Sequence, residues 1–167
     1  MIGQYWGGNV MDEKVYVEDF NPGALEELAT VPDGQPFAII NLLLYKEWAE
    51  YPEGTVTEKL TGQQAYERYS ELSIPFVNKV GGVPMWKGLF GVTLMGPTDK
   101  IWDEILIMQY PRRSAFEEML NNPDYQKIIF HRTAALIDSR LFGATSPQAI
   151  GPMKWKLFNL SQKFKKS

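Results

Sequence analysis

Asn41, His131 and Arg132 are the residues of this chain with the clearest capacity for chemistry. Asn41 lies in the apolar run IINLL, where a buried amide without hydrogen bonds would cost roughly 1–3 kcal/mol. It therefore needs partners, which are either a ligand held between a sheet and its helices, or the neighbouring backbone or a core tyrosine. Asn41 and His131 are the two candidate catalytic residues.

His131 is the single histidine of the chain, so a multi-histidine metal site cannot form, and we predict no metal. A Ser-His-Asp triad has no recognisable motif here. A bond from His131 to Asp138 fails if both lie on one helix, because seven residues rise about 10 Å along its axis. Lys127, one turn earlier, is expected to disfavour the charged imidazolium. General base, axial haem ligand, substrate donor and structural residue are the roles left open.

Arg132 can anchor an anion through its planar guanidinium, or it can pair with a nearby acid. Asp103, Glu104, Asp124 and Asp138 are the acids available to it. The aromatic residues of the predicted long helix and middle strands can line a pocket for a flat apolar ligand, or they can form ordinary core. The candidate ligand-binding residues are Tyr66, Tyr69, Trp86, Trp102 and Arg132.

The first half of the predicted fold is a strand, a helix and the start of a hairpin. Residues 37–46 have the composition of a strand, and Thr61 with Gln64 forms a capping-box pattern for an amphipathic helix that ends at Gly81-Gly82. Pro75 predicts a kink, or a restart with Ser73 as N-cap. Residues 83–95 and 101–110 are predicted as the two strands of a hairpin.

The second half is predicted to be a two-part helix and a final strand. Ser114 with Glu117 forms another capping-box pattern, and Asn122 with Pro123 predicts a second start, with the helix continuing to Asp138. Residues 140–145 follow as a strand. The order strand-helix-strand-strand-helix-strand predicts an α+β, ferredoxin-like fold with an antiparallel sheet.

The first strand is apolar on both faces, which has a consequence for assembly. Phe37, Ile39 and Leu43 share one face, and Ala38, Ile40, Leu42 and Leu44 share the other. The helices of a ferredoxin-like unit cover only one face of its sheet. A second subunit is expected to cover the other face, so we predict a homodimer.

Short motifs along residues 36–146 resemble the DUF1330 family, whose members are small dimeric α/β-barrel proteins of largely unassigned role. The matching residues begin with INLL at 40–43, Tyr45-Lys46, Ala49, Tyr51-Pro52, Gly62, Ala65-Tyr66, Tyr69, Gly81-Gly82 and Trp86. They continue with Trp102-Asp103, Tyr110-Pro111, Ala115-Phe116, Met119, Pro123, Tyr125 and HRTAAL at 131–136. The resemblance implies a dimeric α/β barrel and brings no agreed reaction or cofactor.

Haem-degrading monooxygenases built on the same barrel are similar at two positions. They carry an asparagine on the first strand, matched by Asn41, and a histidine late in the second helix, approximately matched by His131. Their helix has a tryptophan where this chain has Met119, and that tryptophan helps to distort the porphyrin. The histidine is also displaced by about one residue, or ~100° around a helix. We therefore assign no cofactor.

Composition and charge exclude several functional classes. The net charge of −3 argues against a nucleic-acid partner, and the absence of cysteine removes disulfides and thiolate chemistry. No apolar run is long enough to span a membrane, and no signal peptide is apparent, so we expect a cytoplasmic protein. From Lys154 onward there are five lysines and no acid, which leaves 12 basic and 20 acidic groups before them.

The predicted divisions are an N-terminal extension at 1–35, a ferredoxin-like DUF1330-type domain at 36–146 and a basic C-terminal tail at 147–167. The tail can dock on a membrane surface or a partner, or it can lay its apolar residues on the domain or on a dimer mate. The favoured function is binding of a small apolar or aromatic molecule in a pocket between sheet and helices. The alternative is a cofactor-independent or haem-dependent monooxygenase, or an isomerase.

Overall fold

The computed structural model describes residues 20–96 and 102–145. Its helices are α1 (Ala24–Thr30), α2 (Gly62–Lys79), α3 (Arg113–Leu120), α4 (Pro123–Gln126) and α5 (Ile129–Ala135). Its strands are β1 (Phe37–Tyr45), β2 (Val83–Leu89), β3 (Glu104–Tyr110) and β4 (Leu136–Thr145). Within these residues, no helix has the length and apolar character needed to cross a membrane.

The four strands form one sheet in the order β2-β3-β1-β4, and every neighbouring pair is antiparallel. The helix α2 connects β1 to β2, and the helices α3 to α5 connect β3 to β4. This arrangement is the ferredoxin-like fold. The predicted α+β class and ferredoxin-like topology are therefore confirmed.

The inner face of the sheet carries the hydrophobic core. On β1, the alternate residues Phe37, Ile39, Asn41 and Leu43 are buried, because they point toward the helices. Tyr66, Tyr69 and Val77 on α2 are buried opposite them, as are Phe116 and Met119 on α3. The outer face of β1 is only half-buried within the described part of the chain.

Local capping signals predicted some helix starts and not others. Thr61 Oγ1 accepts from the Gln64 amide, and the Gln64 side chain accepts from the Thr61 amide, so the predicted capping box is present. Asn122 likewise caps α4. The predicted capping by Ser114 is wrong, because its hydroxyl and amide both donate to Asp33 instead. The residue that precedes α3 is Arg112.

Several predicted boundaries also differ from the structure. The two-part helix predicted to continue to Asp138 ends as α5 at Ala135, because residues from Leu136 onward pair with β1. The strand predicted at 83–95 ends at Leu89, where its pairing with β3 ends. The helix α2 runs through Pro75, and Ser73 donates to the Ser70 carbonyl instead of capping a new start. The tail at 147–167 and residues 1–19 lie outside the described residues.

Gly62 lies at a close junction of three backbone segments. The Lys46 amide donates to the Ala135 carbonyl, and the Gly62 amide donates to the Lys46 carbonyl. A Cβ on Gly62 would lie 2.3 Å from the Lys46 oxygen and 2.5 Å from the Ala135 oxygen. Because both obstructing atoms belong to the backbone, they cannot rotate away, and the junction admits only glycine.

We expect Gly62→Ala to lower the free energy of unfolding by roughly 2–3 kcal/mol, since the new methyl group must displace the end of β1 or of α5. Gly91→Ala is the matched control, because a Cβ there meets nothing within 4 Å and should change stability little. Urea unfolding followed by circular dichroism measures both values. Equal stabilities of the two variants would contradict the close approach at Gly62.

Candidate functional site

A group of polar side chains, three buried tyrosines and a half-buried arginine, lies between the helices and the inner face of the sheet. We call Tyr66, Tyr69, Tyr125 and Arg132 the tyrosine–arginine cluster. The Tyr69 and Tyr125 hydroxyl oxygens are 2.5 Å apart, and the Tyr66 and Tyr69 ring centroids are 5.5 Å apart. Arg132 donates to the Ser139 hydroxyl at 2.8 Å. The cluster thus brings together three of the five predicted ligand-binding residues.

The ionisation of the cluster follows from its burial. Burial raises the pKa of Tyr66, and the positive charge of Arg132 opposes that rise without cancelling it. Burial also raises the pKa of Tyr69 and of Tyr125. The three phenols are therefore neutral at physiological pH, where they can donate hydrogen bonds but cannot serve as phenolate nucleophiles.

Asn41 faces the helix layer, on the same side of the sheet as this cluster. It is 7% exposed, and its Nδ2 donates to the Leu106 carbonyl oxygen of β3 at 3.2 Å. The sequence predicted either a ligand or a structural partner for this amide, and the structure shows a structural partner, the neighbouring backbone. The contact fixes the direction of the side chain, so its polar end has a defined position on the inner face.

Glu104 is a buried carboxylate on the same inner face. It lies opposite Leu43 in the register of β3 with β1 and is 2% exposed. The Lys87 Nζ lies 3.0 Å from its Oε2. Its Oε1 is sealed from solvent and has no hydrogen-bond partner within the described part of the chain. A buried oxygen left without a donor costs about 1–3 kcal/mol.

His131 belongs to a different part of the molecule from the tyrosine–arginine cluster. Its Nδ1 lies 2.8 Å from the Tyr51 hydroxyl, and its ring stacks on Phe130 with the centroids 4.1 Å apart. Burial, with a smaller effect of the Arg68 charge, lowers the pKa of His131. The expected agent Lys127 instead pairs with Asp124. A lowered pKa leaves the imidazole neutral near pH 7.

The structure does not bring His131 together with Asn41 or with Asp138. The contacts of His131 are with Tyr51 in the connection between β1 and α2 and with Phe130 on its own helix, whereas Asn41 contacts β3. Asp138 lies on β4, beyond the end of the helix, and pairs with Arg140 at 2.8 Å. The bond from Tyr51 instead holds the connection between β1 and α2 against α5.

Trp86 and Trp102 lie toward the outer face of the sheet, away from the tyrosine–arginine cluster. Trp86 is 51% exposed and pairs with Ile107, because the register of β2 shifts between Pro84 and Trp86. Without that shift, Trp86 would lie opposite Leu106 and point inward. Trp102 precedes β3 with its ring 5.8 Å from the Arg140 guanidinium. The five predicted ligand-binding residues therefore do not line one pocket.

Sequence reasoning did not assign Glu104, Tyr125 or Tyr51 to the site. A signal for Glu104 was present, because it shares the alternation of the inward residues Leu106, Met108 and Tyr110 in β3, where a carboxylate is unusual. Tyr125 and Tyr51 carried no such signal. Their contacts are with Tyr69 and His131, at sequence separations of 56 and 80 residues.

We expect the Tyr69 and Tyr125 hydroxyls to be coupled energetically. Tyr69→Phe or Tyr125→Phe alone should cost about 1–2 kcal/mol, since each leaves a buried hydroxyl without its partner. The double variant should cost about as much as one single variant, which gives a coupling of about 1–2 kcal/mol in a double-mutant cycle of urea unfolding. Tyr69→Phe with Tyr110→Phe is the control, because Tyr110 donates to the Met119 sulfur. Additive costs in the first cycle would contradict the coupling.

We expect the pKa of His131 in the folded protein to lie below 6.5. The unfolded chain then takes up the proton first on acidification. The stability contributed by the neutral ring is complete above about pH 6.5 and is lost progressively below it, down to the lower folded-state pKa. Since the chain has one histidine, a proton NMR titration of its Hε1 signal measures this pKa directly.

Two variants serve as controls for that titration. Arg68→Gln should move the pKa of His131 upward, toward its ordinary value, because it removes the smaller of the two causes. His131→Gln should remove the loss of stability between neutral pH and the folded-state pKa. A titration midpoint at or above 6.5 in the native protein would contradict the burial described for the ring.

Comparison with known proteins identifies the family. No curated protein matches the sequence significantly. The family described as a domain of unknown function, DUF1330, matches residues 55–142. The RPA0582 protein of unknown function from Rhodopseudomonas palustris is 30% identical, with a TM-score of 0.71 over 81% of this chain and 100% of that chain.

Two further structures are similar to different degrees. The methylated RPA0582 protein is 33% identical, with a TM-score of 0.70 over 78% of this chain and 94% of that chain. SnoaB, a cofactor-independent oxygenase from Streptomyces nogalater, is 16% identical, with a TM-score of 0.43 over 70% of this chain and 97% of that chain. The likeness to SnoaB is too low to transfer an activity to this chain. The family match and the likeness to RPA0582 show that this chain belongs to the DUF1330 family.

Proposed function

We propose that this protein binds a small, largely apolar or aromatic molecule at the tyrosine–arginine cluster. The observation that carries the proposal is the concentration of phenol hydroxyls and a guanidinium between the sheet and the helices. Apolar side chains alone would hold these layers together, and burying polar groups is costly. Several polar side chains gathered in one region between the layers therefore favour a binding site there.

The chemistry of the cluster indicates the kind of molecule. Its ring faces are apolar, while its neutral hydroxyls and its guanidinium offer hydrogen-bond donors. This combination suits a flat ligand that carries an acceptor oxygen, such as a carbonyl or nitro group. Movement of the connection at residues 46–61, which Tyr51 holds against α5, would give such a ligand access.

A monooxygenase or isomerase reaction is the second candidate function. The observation in its favour is the contact of the His131 Nδ1 with the Tyr51 hydroxyl at 2.8 Å. Burial lowers the pKa of His131, so its imidazole is neutral and able to accept a proton. Loss of oxygen uptake, or of isomerisation, in His131→Gln with retained ligand binding would be its signature. Neither a haem nor another cofactor is part of the proposal.

We also propose that the protein acts as a homodimer joined through the outer face of the sheet. Ile40, Leu42, Ile105 and Ile107 are only half-buried there, and the side chain of Trp86 is exposed beside them. Four strands at about 4.8 Å spacing make a face roughly 15–19 Å wide, whereas one helix is about 10–12 Å wide. A helix formed by the tail would leave much of the face open. The sheet of a second copy would match its full width.

We expect Ile107→Lys to convert the dimer to a folded monomer, because it places a charge at the centre of the proposed interface. Leu72→Lys, at an exposed position of α2, should remain dimeric. Size-exclusion chromatography with light scattering at micromolar concentration measures the mass. A native monomer that dimerises only when residues 147–167 are removed would assign this face to the tail instead.

We expect nitrobenzene, an uncharged aromatic probe with acceptor oxygens, to bind the native protein saturably in isothermal titration calorimetry. Tyr66→Phe should weaken this binding several-fold, because it removes a donor from the tyrosine–arginine cluster. Tyr110→Phe is the matched control, since its buried hydroxyl donates to the Met119 sulfur outside the cluster. Absence of saturable binding to the native protein would refute the proposed function.

The division into extension, domain and tail, and the cytoplasmic location, stay predictions. Limited proteolysis would test the predicted division, because it should leave residues 36–146 intact if the two flanking segments are separate.

A further inference from the structure

The Oε1 atom of Glu104 is a buried hydrogen-bond acceptor without a donor among the described residues. Its sister oxygen Oε2 is paired with Lys87, whose side chain is 57% exposed, while the carboxylate itself is 2% exposed. Among the buried side-chain oxygens and nitrogens of the described residues, Oε1 alone has no hydrogen-bond partner. Native structures rarely leave such an atom unmatched unless a ligand or a water completes it.

The surroundings of Glu104 connect it to the tyrosine–arginine cluster. Its negative charge contributes to the raised pKa of Tyr66, and Arg132 acts on the same phenol in the opposite direction. Tyr66 is therefore within electrostatic reach of both the carboxylate and the guanidinium. The rings of Tyr45 and Tyr66 are neighbours, with their centroids 5.6 Å apart.

Tyr45 is a neighbouring donor whose hydroxyl interacts with the Glu104 carboxylate, but it gives Oε1 no hydrogen bond of normal geometry. The carboxylate adds to burial in raising the pKa of Tyr45, which places the phenol close to it. The backbone of Tyr45 is committed elsewhere, because its amide donates to Asp103 at 2.7 Å.

We propose that Glu104 Oε1 accepts a hydrogen bond from a hydroxyl group of the bound ligand. The ligand class is then a neutral aromatic with a hydroxyl donor at one end and an acceptor oxygen at the other. The hydroxyl meets Glu104, and the acceptor oxygen meets the donors of the tyrosine–arginine cluster. This inference rests on the proposed function and narrows its ligand from apolar aromatics in general to hydroxylated ones.

The sign of the charge at Glu104 decides which form of the ligand binds. A carboxylate accepts from a neutral O–H group and repels the corresponding phenolate, whereas a site built around Arg132 alone would favour the phenolate. The ionisation state of a bound phenol therefore distinguishes the two arrangements. The probe 4-nitrophenol reports this state directly, because its phenolate absorbs visible light and its neutral form does not.

The first experiment uses only the native protein. 4-Nitrophenol is titrated with protein at a pH where the free probe is half ionised, and the visible phenolate band is followed. We expect the band to fall as protein is added, because the neutral form is bound. In calorimetry, 4-nitrophenol should bind about tenfold or more tightly than nitrobenzene, which lacks the hydroxyl. A band that rises, or that stays constant while the probe binds, overturns the assignment of Glu104.

The second experiment compares two neighbouring carboxylates. Glu104→Gln should reduce the preference for 4-nitrophenol over nitrobenzene to less than about threefold, since the charge-assisted bond is lost. Asp103→Asn should leave the preference unchanged, because Asp103 is exposed and Asn keeps an acceptor for the Tyr45 amide. Circular dichroism and thermal unfolding establish that both variants are folded.

The outcomes separate this inference from the proposed function. Equal binding of the two probes to the native protein would leave the proposed function standing and remove the role of Glu104. A preference that survives in Glu104→Gln would likewise remove it, and would leave Tyr45 as the group that completes the carboxylate. Binding of neither probe would overturn both proposals.

Discussion

The position of the tyrosine–arginine cluster depends on the backbone junction at Gly62. There the end of β1 receives the start of α2 and the end of α5 through two hydrogen bonds at Lys46. Tyr66 and Tyr69 follow Gly62 by about one and two helical turns, and Arg132 precedes Ala135 by about one turn. Because the junction fixes where each helix meets the strand, it also fixes where these side chains meet. A methyl group at Gly62 would disturb the cluster without touching it.

The helices of the described residues cover only one face of the sheet, so the two faces carry different side chains. The inner face holds the cluster, the amide of Asn41 and the carboxylate of Glu104 on a background of buried apolar residues. The outer face is apolar in its middle and carries the Arg140–Asp138 pair and Trp102. A register shift in β2 decides which face receives Trp86. One residue of backbone irregularity thus decides whether Trp86 points toward the helices or away from them.

The fold could be predicted from the sequence because its signals are local. The apolar alternation of β1 and the caps at Thr61 and Asn122 depend on residues close together in the chain. Ser114 had an equally good local pattern, and it failed because Asp33, distant in sequence, takes its hydrogen bonds. The start of β4 was missed for a similar reason, since pairing with β1 decides it.

The candidate site was predicted only in part, since its geometry depends on long-range contacts. Tyr66, Tyr69 and Arg132 were named as ligand-binding residues, and the structure gathers them. His131 was grouped with Asn41 because of its residue type, whereas its position beside Tyr51 depends on how a connection 80 residues earlier folds back onto α5. No local sequence pattern predicts that this connection folds back onto α5. The same holds for the pairing of Tyr69 with Tyr125.

The two faces of the sheet carry different aromatic residues, and these residues give different spectroscopic signals. Among the described residues, Trp86 and Trp102 lie toward the outer face, whereas the tyrosines of the cluster lie beneath the helices. The emission of Trp86 and Trp102, isolated by replacing the other three tryptophans with phenylalanine, should therefore respond mainly to events on the outer face. Near-ultraviolet absorption of the tyrosines should respond mainly to changes inside. Such a variant would thus report changes at the outer face and changes around the buried tyrosines as distinct signals.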